Sequence, residues 1–173
     1  MELWRRIDLG SDDEAQPLLA RACGSSRWVD RMLARRPFGS QQALLSAARE
    51  EWFGLSKDDW LEAFGHHPKI GDTEKLRQRV LATWDLSERE QAGVYSGSDE
   101  VLSALADRNR AYEDRYGYIF IVCATGLSAE EMLARLRSRM ENDPEVEIRI
   151  AAEEQARITA MRLEERGTLV PRQ

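Results

Sequence analysis

Apolar residues recur along the chain at three- and four-residue spacings, and serine, glycine and proline punctuate the runs, which is a helical pattern. Ser11 and Glu14 stand at capping-box spacing and open a helix toward Cys23. Ser26 opens a second helix through Trp28, Val29, Met32 and Leu33, stopped before Pro37. Ser40 opens a third, carrying Ala43, Leu44, Ala47 and Ala48 toward Trp52 and Phe53, and Ser56 a short fourth that ends at Gly65. After the loop at 66–72, helices are expected from Thr73 to about Ala82, from Ser87, and from Ser98 to Tyr116 with Gly117 as its stop. Ser128 and Glu131 form another capping box, opening a helix to Met140. Asp143 then caps a last helix that has Pro144 at its first position and runs to about Arg166. Only residues 118–124 look like a strand, and a lone strand has no partner, so an extended buried connection or a helix is expected there. The fold class is all-α: one compact domain of about eight to ten short helices joined by short loops.

Composition narrows the function classes. With 173 residues the chain is the size of one domain, expected to span 1–173 with 1–10 and 167–173 frayed. Hydrophobic residues at 42% and charged residues at 32% allow a real core. The formal charge of −6 argues against nucleic acid as a partner. The longest apolar run, residues 118–124, is far short of the ~20 residues of a membrane helix. The first ten residues hold no apolar run for a secretory signal and the last three, Pro171, Arg172 and Gln173, are no peroxisomal address, so a cytoplasmic location is expected. Cys23 and Cys123 match no metal or redox spacing and are expected to be buried free thiols.

Three groups carry candidate chemistry. His66 and His67 are the chain's two histidines, set between a helix stop and Pro68, and imidazole is the natural proton-transfer group near neutrality. A helix-capping or solvent-facing role is the alternative. Adjacent histidines point apart and no third ligand is suggested, so a metal site is not expected. Ser87, Glu90 and Gln91 place a hydroxyl, a carboxylate and an amide at one helix start, either as a capping box or as a polar ligand site. Arg162 lies on the arc of the last helix that holds Ile148, Ala151, Ala152, Gln155, Ile158, Thr159 and Leu163, whereas Glu147, Glu154, Glu164 and Glu165 lie outside it. An inward guanidinium requires a carboxylate or an anionic ligand. The charge runs at 135–139 and 153–154 read as solvated faces.

Taken in order, these segments resemble the 2-oxo-4-hydroxy-4-carboxy-5-ureidoimidazoline (OHCU) decarboxylases of urate degradation. The resemblance rests on CGSSRWV at 23–29, RPF at 36–38, DWLEAF at 59–64, HPKIG at 67–71 and SEREQAG at 87–93. It continues through NRAY at 109–112, YGYIFIV at 116–122, NDPE at 142–145 and ITAMRL at 158–163. It implies His67 as catalytic histidine with Glu90, and Ser87 and Gln91 as substrate-binding groups. It further implies Arg162 as the arginine that meets the substrate, Pro68 as pocket wall, and Phe120, Ile121 and Val122 as a segment whose backbone binds the ring and ureido amides. An all-α carboxy-lyase without cofactor or metal, commonly a homodimer, converting OHCU to (S)-allantoin, is the implied protein. His66 and the run Cys123, Ala124, Thr125 depart from the family pattern. A non-catalytic ureide-binding helical module, or a lyase or hydrolase acting on another ureido compound, is the alternative reading.

Overall fold

Serine hydroxyls start four of the described helices: each accepts one of the backbone N–H groups that a helix start leaves without an internal partner. The computed structural model describes residues 1–67 and 99–164. Among these residues there are eight helices, α1 (Leu3–Leu9), α2 (Asp12–Ala22), α3 (Ser26–Ala34), α4 (Gln41–Phe53), α5 (Lys57–Gly65), α6 (Asp99–Tyr116), α7 (Ala129–Arg139) and α8 (Pro144–Glu164), and no strand. The all-helical expectation therefore holds. The helices expected from Thr73 and from Ser87 lie outside the described residues. Ser40 and Ser56 accept from Ala43 and Asp59 N–H at 3.1 and 3.3 Å, and Ser128 from Glu131 N–H at 3.1 Å. One cap shifts by a residue: Ser25, not Ser26, accepts from Trp28 N–H at 3.3 Å, and Ser26 is already helical.

The chain divides into two compact units, residues 1–66 with 152–173 and residues 67–151, the division falling inside α8. In the first unit α1 packs on α2, α2 on α3, and α3 on both α4 and α5. Ile7, Leu19, Trp28, Met32, Leu44, Trp52, Phe64 and Leu163 are its fully buried large side chains. Three indoles make this core affordable to bury, because each N–H finds a main-chain acceptor. Trp28 donates to Ala48 O at 3.0 Å, Trp52 to Ala152 O at 2.9 Å and Trp60 to Trp52 O at 3.0 Å.

Near the N-terminus, residues 3–9 form α1 and make specific contacts. Leu3 and Ile7 are buried, Arg36 donates to the carbonyls of Ile7 and Gly10 at 2.6 and 2.8 Å, and it also pairs with Asp12. In return the Asp8 carboxylate accepts Phe38 N–H at 2.9 Å and Gly39 N–H at 2.8 Å. Apolar spacing at Leu3 and Ile7 and an arginine from a distant loop supply these contacts.

In the second unit α6 packs against α7, and Leu105, Tyr112, Ile121 and Leu136 are fully buried. Residues 118–124, linking the two helices, take neither helical nor strand form, with Tyr118, Phe120 and Ile121 buried. That agrees with an extended buried connection. A buried irregular segment must find partners for its main-chain groups, and those partners are the most informative feature of the unit.

Candidate active site

Within the segment of Phe120, Ile121 and Val122, a charged network holds Phe120 and Ile121. Arg139, the last residue of α7, donates through Nη1 to Ile121 O at 2.6 Å, and its guanidinium lies 4.5 Å from the centre of the Phe120 ring. Its Nε donates to Glu147 Oε1 at 2.7 Å. Tyr112 donates its O–H to the same Glu147 oxygen at 2.5 Å, and Asn142 Nδ2 donates to Oε2 at 2.7 Å. Glu147 has 0% of its surface exposed. Burial, then the bond to Glu147, pushes the Tyr112 phenol well above its ordinary value, so it stays protonated and donates to Glu147 while its oxygen accepts from Arg139 Nη2 at 3.5 Å. The Tyr112 ring meets Phe120 edge-on with centroids 5.3 Å apart. Every residue of this network lies in the second unit.

Two expectations are corrected here. Glu147 and Glu154, placed outside the buried arc of the last helix, are both buried, and Arg139, read as part of a solvated charge run, is buried with Glu147. For Glu147 and Arg139 the physical reason is that the first turn of α8 is covered by Tyr112 of α6 and Arg139 of α7, so a carboxylate there is paired rather than solvated, whereas Glu154 further along pairs with Arg157 at 3.1 Å. Neither Arg139 nor Glu147 was singled out from sequence. The available signal was Tyr112 itself, whose O–H needs an acceptor once its ring is core.

In the first unit Arg162 is half-buried on α8 and donates through Nη1 to Ala22 O at 3.2 Å and Arg21 O at 3.3 Å. These are the last carbonyls of α2, where the helix leaves acceptors unpaired and carries partial negative charge. The expectation that Arg162 points inward stands, and main-chain oxygen is among its partners. Thr159 donates to the same Ala22 carbonyl at 3.4 Å and accepts from Gln155 Nε2 at 3.2 Å. The thiol of Cys23, the cap residue of α2, is pushed up to about 11 by burial. Cys23 is thus a buried free thiol as expected, whereas Cys123 is only half-buried.

His66 caps α5 and borders a pocket of about 250 Å³ that Cys23, Gly24, Ser26 and Glu62 also line. Glycine is required at 24: a Cβ there would stand 2.5 Å from the Cβ of His66. Ser26 closes one wall, donating to Glu62 Oε2 through both N–H and Oγ at 3.2 Å. His67 is buried. Pro68, Ser87, Glu90 and Gln91 lie outside the described residues. Among the described residues no three His, Cys, Asp or Glu side chains group as a metal site, and no helix is long and apolar enough to cross a membrane.

The family model for OHCU decarboxylase matches residues 10–164. The uric acid degradation bifunctional protein TTL of Arabidopsis thaliana is 41% identical over 143 residues, 82% of this chain and 44% of that protein. The 2-oxo-4-hydroxy-4-carboxy-5-ureidoimidazoline decarboxylase of Haloferax volcanii is 28% identical over 94% of both chains. A crystal structure of OHCU decarboxylase in the presence of (S)-allantoin superposes with a TM-score of 0.68 at 37% identity, covering 89% of this chain and 96% of that one. The chain therefore spans less than half of the bifunctional relative but nearly the whole of the other two.

Proposed function

The chain belongs to the OHCU decarboxylase family, and from that premise we propose that it decarboxylates OHCU to (S)-allantoin in urate degradation, acting as a cytoplasmic homodimer without a cofactor. The observation that carries this reading is the family match over residues 10–164, the span that contains all nine residues given a role.

OHCU carries a carboxylate and a hydroxyl on one ring carbon, next to a ring carbon that bears the ureido group and an imine. As the carboxylate leaves as carbon dioxide, its bonding electron pair moves toward the imine, whose nitrogen takes up a proton. The product is an enol. Loss of the hydroxyl proton and protonation of the ureido-bearing carbon on one face then give (S)-allantoin. The substrate holds its own electron sink, so the protein's work is orientation, charge stabilisation and control of one proton. Arg162 suits the anionic end of the substrate: α2's terminal carbonyls hold Nη1, and a guanidinium binds a carboxylate with two parallel bonds. The backbone around Phe120, Ile121 and Val122 offers main-chain donors and acceptors to the ring and ureido amides. His67 moves the proton, with Glu90 orienting it and Ser87 and Gln91 binding the polar edge, and Pro68 shapes the wall.

Release of carbon dioxide from freshly generated OHCU, measured against spontaneous decay, tests the reading. A rate well above the blank supports it. Folded protein that leaves the blank rate unchanged yet binds (S)-allantoin would instead favour a ureide-binding module.

A further inference from the structure

We propose that Arg139 and Glu147 are positioning residues for substrate binding: the buried pair fixes the main chain at Phe120, Ile121 and Val122 in the geometry that receives the ring and ureido amides. This rests on the reading given under Proposed function. The argument begins with cost. A carboxylate with no exposed surface is tolerated only with its acceptor sites filled, and Glu147 is met by Arg139, Tyr112 and Asn142 at 2.5–2.7 Å. A hydrophobic pair of the same shape would hold α7 to α8 equally well, so helix packing alone does not call for this ion pair. What apolar side chains cannot supply is the bond from Arg139 Nη1 to Ile121 O at 2.6 Å. That bond fixes the carbonyl between Phe120 and Val122, and the guanidinium face fixes the Phe120 ring at 4.5 Å. One arginine therefore holds both the main chain and a side chain of the segment, and Glu147 holds the arginine.

The assignment separates from a merely structural role by what it does to KM. Segment contacts form with substrate and transition state alike, so their loss raises KM and leaves kcat nearly unchanged. Arg139→Lys removes the fork and the planar face while keeping the charge. In the full-length protein it is expected to raise both KM for OHCU and Kd for (S)-allantoin about tenfold, the worth of one charge-assisted hydrogen bond. Tyr112→Phe keeps the ring and removes one donor to Glu147, and a smaller shift in the same direction is expected; should Arg139→Lys fail to fold, this variant decides in the same terms. Leu105→Ala, a core truncation outside the network, is the control for lost stability, and its KM is expected to stay at the wild-type value. Folded Arg139→Lys or Tyr112→Phe with wild-type KM and Kd, or a Leu105→Ala shift as large as theirs, overturns the assignment while the decarboxylase reading stands. Wild-type protein that neither turns over OHCU nor binds (S)-allantoin removes both.

Discussion

At the scale of single residues, burial decides which titratable groups are chemically available. Cys23 is the clearest case, since desolvation raises its thiol from an ordinary value of 9.0 to about 11. Its folded value lies above its unfolded one, so this contribution to stability is intact below pH 9 and is lost as pH rises through about 11. Denaturation midpoints across that range are expected to fall in the wild type and to fall less in Cys23→Ala. At pH 8 the native thiol is expected to react with a disulfide reagent far more slowly than the unfolded one, because the thiolate is the nucleophile. Arg162→Lys is expected to raise KM strongly, since a lysine cannot reproduce the fork held at Ala22 and Arg21; steady-state kinetics on OHCU check this. The sequence made the inward direction of Arg162 visible because its neighbours on the arc are small or apolar. It hid Glu147 and Arg139, because a buried ion pair reads like two surface charges until the helices covering it are placed.

At the scale of elements, local signals were legible and contacts between distant segments were not. Capping serines at 40, 56 and 128 and the glycine stop at 117 are short-range chemistry, and the helices begin and end there. Ser128→Ala is expected to cost about 1 kcal/mol in chemical denaturation, the usual worth of such a cap. The shift from Ser26 to Ser25 shows the limit of that reading, because two adjacent serines compete and only the fold chooses. The first helix shows another limit: nothing near Leu3 or Ile7 announces that Arg36 and the loop at 37–39 will hold it. Gly24 joins two elements in the same non-local way, its missing Cβ leaving room for His66 at the end of α5. Gly24→Ala is expected to destabilise by about 1–3 kcal/mol, as overpacking does, and to lower turnover as well, since the displaced residue immediately precedes His67.

At the scale of the whole molecule, the order of the motifs led to the same family that the comparisons show, while charge and composition only excluded other classes. The ordered series of motifs pointed to the family, whereas periodicity alone pointed only to a helical protein. A homodimer in solution is expected, and sedimentation should give about twice 19.8 kDa. The central claim is stereocontrolled decarboxylation through His67, and circular dichroism tests it most directly while OHCU is generated in place from urate by the two preceding reactions. Wild-type protein is expected to produce a rapid, lasting (S)-allantoin signal. Folded His67→Ala should lose about 10²–10⁴ of that rate, the range of positioned acid–base catalysis. A wild-type reaction no faster than the blank, or ending in racemic allantoin, or a His67→Ala protein as fast as wild type, would contradict the account.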